Sequence, residues 1–273
     1  MKPALFDYVR AESLAEAHDV LAAEGEEATV LAGGQSLVPL LSMRMARPKV
    51  VVDIMHVAEL GGIAIEDGAI RIGATVRQAE LLARPELAAC QPLLAQALPW
   101  VGHWQTRARG TVCGSVALAD PSAELPLCLL ALGGEIVLSS KDGCRNVQAD
   151  EFFTGLMSTA RNDDELIECV SFPSRRSGES YAFREFARRH GDFAIVACAA
   201  VVMEKNVRLA VGGVGDRPVL RDFRADASLK DALHDFAAEL EARDDLHATA
   251  EYRRMLVREL GRQTIEEARR CRA

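Results

Sequence analysis

Two short stretches carry residue types that could do chemistry at one place. The first is Ala32-Gly33-Gly34-Gln35-Ser36-Leu37, and the second is Thr111-Val112-Cys113-Gly114-Ser115 with Arg109-Gly110 before it. Glycine has no Cβ, so a ligand oxygen can reach the backbone N–H groups beside it. A helix beginning behind each loop adds unpaired N–H donors and the positive end of a dipole. Thr111 and Ser115 contribute hydroxyls, and neither loop contains a carboxylate. That combination suits an anion, and two such loops could close on one pyrophosphate from opposite sides. A glycine pair ahead of a helix is also what a plain tight turn requires, so one loop by itself decides nothing.

The elements that must position these loops can be read around them. TVLA reads as a strand, Gly33-Gly34 as the turn, and Ser36 as the cap of a helix to Met45 that Pro48 stops; KVVVDI is the next strand. Ser13 with Glu16 fits a capping box for a helix over 13–24, and Thr75 with Gln78 fits one for a helix to Ala83. Hairpins are predicted around Gly68 and around Lys141-Asp142-Gly143, and a helix over 91–101. Asp120-Pro121 reads as an N-cap followed by proline in the first helical position, with the helix reaching Leu132. ELIECVSFP is a strand, and SRRSGES is a polar linker. Three strands follow (SYAFREFAR, AIVACAAVVM and VRLAVGGVG), then helices over 229–241 and 247–270. Strands and helices do not alternate regularly, which predicts an α+β fold with a boundary near residue 176.

Composition narrows the function classes. The chain has 273 residues, 49% of them hydrophobic, enough for a sizeable core. A net charge of −8 argues against nucleic acid or an anionic membrane as the main partner. No window approaches eighteen consecutive apolar residues, and MKPALFDYVRAES lacks the pattern of a secretory signal. The seven cysteines show no CxxC spacing and several sit in apolar runs, which fits reduced thiols in a cytoplasmic protein. A zinc or iron–sulfur site built from this chain alone is not expected.

Other residues admit two readings each. Arg189-His190-Gly191-Asp192 is a turn with a capping Asp, or a contact to a ligand or a neighbouring subunit. Trp100 and Trp104 share a face if one helix continues through both, as core or as a wall; His103 between them is structural or a proton donor. Cys113, at a helix start, is an inert small residue or a stabilised thiolate. Arg175-Arg176 belongs to the solvated linker.

AGGQSLVPLLSMRMARP, RARGTVCGSVALADPSAELP, RRHGDFAIVACAAVV and HATAEYRR, in this order and over essentially the whole chain, resemble the FAD-binding (medium) subunit of the molybdenum hydroxylases, the carbon monoxide dehydrogenase and xanthine dehydrogenase relatives. The resemblance implies a two-subdomain FAD-binding fold of the vanillyl-alcohol-oxidase type over 1–56 and 57–175. A small C-terminal α+β domain over 176–273, a three-stranded antiparallel sheet plus helices, would follow. It assigns the FAD pyrophosphate to Ala32, Gly33, Gly34, Gln35, Ser36 and Leu37 and to Thr111, Val112, Cys113, Gly114 and Ser115. The Asp120-Pro121 turn would lead to Glu124, near the adenine-ribose end or in support of the loop, and Ile167 and Glu185 would flank the isoalloxazine ring. No residue here need act on the organic substrate.

The function implied is electron transfer: from [2Fe–2S] clusters of a small partner subunit, fed by molybdopterin on a large one, through FAD held here to an external acceptor. A dimer of heterotrimers is the implied assembly. Three departures stand out. Cys113 replaces the first glycine of the family's Gly-Gly pair, with strain if that position needs a positive φ. Leu118 stands where many relatives carry His. Glu185 stands where some carry Lys, and a carboxylate there would lower the flavin potential. Two other readings are a docking subunit whose flavin site has decayed and a free-standing flavin reductase of related fold, which would need its own acid and substrate domain.

Overall fold

A computed structural model describes residues 2–271. Its first layer is a three-stranded parallel sheet with Val50–Asp53 between Asp7–Arg10 and Ala28–Leu31. The central strand is a buried valine run, the pattern of a strand covered on both faces. The edge strand Asp7–Arg10 escapes sequence reading, because DYVR is mostly exposed and shows no apolar period. Helix Leu14–Glu24 connects the two edge strands. Ser13 caps it through a 3.2 Å bond from the Glu16 N–H, and the Glu16 carboxylate accepts from the N–H of Glu12 rather than of Ser13.

The second layer is a five-stranded antiparallel sheet. The hairpin Ile63–Glu66/Ala69–Gly73 and the hairpin Glu135–Ser140/Gly143–Gln148 are both paired to Leu166–Pro173, which lies between them. Short helices fill the stretch between the hairpins. Glu124–Leu132 is buried at every residue, as a helix apolar on all sides must be.

The C-terminal sheet has four strands, not three: Ser180–Phe186, Val196–Val202, Asn206–Gly212 and Val219–Arg224 pair in chain order, all antiparallel. The fourth was invisible because VLRDFR carries three charges in six residues and reads as loop. Alternation divides this sheet between two cores. Tyr181, Phe183, Ala197 and Ala199 join the core of the N-terminal half, while Ala182, Cys198 and Ala200 join the core with helices Leu229–Glu239 and Ala250–Arg270.

Several helix boundaries differ from expectation. The helix behind the first loop runs only Leu37–Ser42, and Ser36 makes no side-chain cap bond. Met45 and Ala46 then donate back to the Leu40 carbonyl, closing the turn before Pro48. The helix expected over 91–101 is Pro92–Ala97 plus a 3₁₀ turn, Leu98–Trp100, ended by Gly102 at φ 50°. Trp100 and Trp104 therefore do not share one helix face. Thr75 is not a cap; its hydroxyl donates to Leu60, and the helix starts later, at Gln78. The helix expected from Pro121 starts at Glu124 after Ala123, because Asp120 spends its carboxylate on a turn, accepting from the Ser122 N–H at 2.8 Å. The last helix begins at Ala250, capped by Thr249. Among the described residues no helix is long and apolar enough to cross a membrane.

Candidate functional site

The first loop leaves the parallel sheet after Leu31 and turns at Gly34, whose φ of 71° favours glycine. Its backbone is open: among the described residues, none of the N–H groups from Ala32 to Leu37 enters a hydrogen bond, and the first one used is Val38, to the Gly34 carbonyl. The Gln35 side-chain amide donates back to the Gly33 carbonyl at 3.2 Å, bracing the turn from outside.

The second loop is held from below. Val112 donates to the Val76 carbonyl, and Gln78 donates from its backbone to Gly110 and from its side chain to Thr111. Thr111 caps helix Val112–Leu118, its hydroxyl accepting from the Gly114 N–H at 3.0 Å, and Ser115 donates to the Thr111 carbonyl. Two of the backbone donors expected to meet a ligand, on Gly114 and Ser115, are thus already engaged within the helix start. The Cys113 N–H has no partner among the described residues.

The two loops meet at Gly33. A Cβ there would collide with the Arg109 carbonyl and stand 2.7 Å from the Gly110 Cα. Between and beyond the loops opens a cleft of about 480 Å³, well within the range for small-molecule sites. Ala32 to Leu37, Thr111, Cys113, Gly114, Ser115, Asp120, Glu124 and Ile167 all line it. Val112 and Glu185 do not: Val112 is buried in the core, and Glu185 lies on the C-terminal sheet behind the wall.

Sequence reading overlooked Gln78, Thr106, Arg161 and Phe193, which also line the cleft, and left open Gly191-Asp192, which do so too. Gln78 was visible as the last residue of the Thr75 capping box, but its fit suggested a helix brace rather than a loop support. Arg161 is tied by Nη1 to the carbonyls of Asn162 and Glu165. Phe193 is 66% exposed at the mouth. Beside it the ring of Trp100 stacks on His190 at 4.9 Å, and a Cβ on Gly191 would stand 2.6 Å from the His103 ring. His103 is thus a packing residue against that turn.

Cys113 carries no left-handed strain. It lies in the first turn of a helix, is buried, and points its Sγ toward the Ile72 carbonyl at 3.4 Å. Burial pushes its thiol up, the reverse of a stabilised thiolate. The positive φ falls instead on Ala119, at 52°, where the helix ends ahead of Asp120. Burial also raises the carboxyl of Asp120, and it pushes Glu124 up to about 7, with Asp120 adding to the effect.

The cleft thus offers unpaired N–H donors at one end and apolar walls from Leu40, Ile54, Leu166 and Ile167 elsewhere. Its buried carboxyls are held toward their neutral forms. Among the described residues no group of three or more His, Cys, Asp or Glu could hold a metal ion. A ligand with a phosphate part and an extended apolar part fits this donor set.

Comparison with known proteins gives two family matches. Residues 4–175 match the FAD binding domain in molybdopterin dehydrogenase, and residues 181–268 match the CO dehydrogenase flavoprotein C-terminal domain. Subunit alpha of the 6-hydroxypseudooxynicotine dehydrogenase complex of Paenarthrobacter nicotinovorans is 38% identical over 98% of this chain and 96% of its own. Among solved structures, carbon monoxide dehydrogenase from Hydrogenophaga pseudoflava superposes with a TM-score of 0.91 at 31% identity, covering 99% of this chain and 100% of that one. Quinoline 2-oxidoreductase from Pseudomonas putida 86 gives 0.90 at 33% identity over 98% of each.

Proposed function

Because the chain belongs to the family of FAD-binding medium subunits of the molybdopterin dehydrogenases, we propose that its cleft holds FAD with the pyrophosphate on the first loop. The observation that carries this is the run of unpaired N–H groups from Ala32 to Leu37, apposed to the Thr111 loop. These groups point a fixed partial positive charge at an anion without a cationic side chain. The Cys113 N–H and the Ser115 side chain add contacts from the second loop. Ile167 and Leu166 form an apolar wall for the ring system, and Phe193 stands at the mouth to cover it. Asp120 and Glu124 lie along the rest of the cleft.

FAD, when bound, supplies redox chemistry that can proceed by one or two electrons. This chain's part is to bind and orient it and to set its surroundings. The proposed path runs from [2Fe–2S] clusters on a small partner subunit, supplied by molybdopterin on a large one, to an external acceptor, in a dimer of heterotrimers. The reading of a docking subunit with a decayed flavin site rests on Cys113 and the other departures from the family pattern. The helical backbone and inward side chain of Cys113 support the flavin-holding reading, and bound FAD separates the two.

The test is direct. The purified complex is acid-precipitated and the released chromophore identified; the expected result is one FAD per copy of this chain. Gly34→Val is expected to lose the flavin and keep the fold. A complex that assembles without flavin would overturn the proposal.

A further inference from the structure

At the cleft wall and behind it, two carboxyls from the two halves of the chain, Glu124 and Glu185, lie without an ion-pair partner among the described residues. On strand Ser180–Phe186, Tyr181 and Phe183 point into the N-terminal core, while Arg184 pairs with Glu267 on the long C-terminal helix. The period of two therefore puts Glu185 on the Tyr181 side, toward helices Pro92–Ala97 and Glu124–Leu132. Both Glu185 carboxylate oxygens are buried and neither has a hydrogen-bond partner. Glu124 is 5% exposed, lines the cleft, and its carboxyl makes no side-chain hydrogen bond to another residue among the described residues.

Among the described residues no cation pairs with either of them. Arg184 is taken by Glu267, and buried Arg253 by Asp245 and the carbonyls of Ile195 and Gly213. Arg107 acts on Glu124 from a distance, but its Nη1 is spent on the carbonyls of Pro99, Val101 and Gly102. Arg243 faces Asp120 and is paired with Asp216. From helix Pro92–Ala97 comes Gln96, whose amide is bonded to the backbone of Tyr181 and Phe183, and the residue opposite Glu185 on the next strand is Ala197. An ionised carboxylate without partners is costly in such a place, and a second one nearby raises the cost.

We propose that Glu185 holds a proton at neutral pH in the seam between the two halves of the chain, and so adds no negative charge behind the cleft wall that Glu124 lines. Glu185 is a positioning residue in this scheme and touches no ligand. Burial pushes its carboxyl up to about 8, with the charge of Glu124 adding to the shift. As pH rises through that range the proton leaves to solvent and negative charge appears beside the cleft. The consequence for cofactor retention rests on the FAD reading above; the proton itself does not.

The experiment is infrared difference spectroscopy of the assembled protein against Glu185→Gln, titrated from pH 6 to pH 10. A protonated-carboxyl stretch present at pH 7 in the wild type, absent in the variant and lost toward alkaline pH is expected. Equal spectra at pH 7 would overturn the proposal. If Glu185→Gln fails to fold, Glu185→Met, apolar and of similar length, replaces it with the same two outcomes. In parallel, the Kd for FAD is read by flavin fluorescence. It should rise about tenfold between pH 7 and pH 9 in the wild type and by a smaller factor in Glu185→Gln, where Glu124 alone of the two still titrates. An equal change of Kd with pH in both would overturn the link between Glu185 and the cleft. Absence of FAD binding at pH 7 would strike the cofactor reading instead, and the infrared result would still decide the proton.

Discussion

The Cα of Gly33 lies so close to the carbonyl oxygen of Arg109 that no β-carbon fits between them. This contact joins the two loops into one site. It predicts an order among substitutions that glycine content alone does not. Gly33→Ala sets a methyl against backbone atoms, which cannot yield as a side chain can, and should cost roughly 3 kcal/mol or force the loops apart. Gly34→Ala meets the Val38 methyl at 3.1 Å and bears a φ of 71°, a penalty of about 1 kcal/mol. Thermal denaturation should rank Gly33→Ala below Gly34→Ala, with flavin content falling in the same order. The reverse ranking would mean that the loops are not packed as described.

Thr111 offers a second check on the same loop. Its hydroxyl accepts from the Gly114 N–H, and a Cβ on Gly114 would stand 2.7 Å from that oxygen. Thr111→Val keeps the shape and removes the acceptor, so it should lower stability by about 1 kcal/mol. Thr111→Ser should restore most of the loss. Denaturant midpoints of the three proteins measure this directly. Equal midpoints for Thr and Val would remove the cap from the account.

Much of this site could be read from residue order, and the parts that could not have physical causes. Glycines and small polar residues advertise a loop by what they lack, so the sequence pointed to both turns. It also implied one binding place, though not the reason they touch: the Gly33–Arg109 contact joins residues far apart in the chain. Val112 sits within the motif yet points into the core, because side-chain direction in a helix start depends on where the core lies. Glu185 was expected beside a ring, and the strand puts it one layer behind, since alternation fixes its face but not its depth. The fourth C-terminal strand was missed for a related reason. Its partner strand supplies the pairing, while its own residues, three of the six charged, advertise none.

The carboxyl at Glu185 also makes stability depend on pH, with a sign that can be worked out. Its pKa in the folded chain is raised to about 8, against about 4.3 for an unfolded Glu. The folded state therefore binds the proton more tightly. The stabilisation is full below the unfolded value and is lost progressively as pH rises toward 8. Glu185→Gln cannot titrate, so the melting temperature of the variant should gain on that of the wild type between pH 5 and pH 8 and then hold a constant lead. Parallel melting curves over that range would show that Glu185 ionises in the folded protein as it does in the unfolded one.

Cys113 yields the last prediction, because two opposed readings of it make opposite demands. A thiolate stabilised by a helix start would be reactive, and would be lost with any change of residue. The structure gives a buried side chain against Ile72, with burial pushing the thiol up, while its backbone N–H has no partner among the described residues. Exposed Cys144 and Cys271 should therefore be alkylated first by iodoacetamide under native conditions, and Cys113 only on unfolding. Cys113→Gly should cost about 1 kcal/mol for glycine inside a helix, plus the loss of a small buried side chain. It should leave flavin retention intact, because the proposed FAD site draws only on the backbone at this position. Rapid labelling of Cys113 in the folded protein, or loss of flavin in Cys113→Gly with the fold preserved, would assign the side chain a direct part in binding.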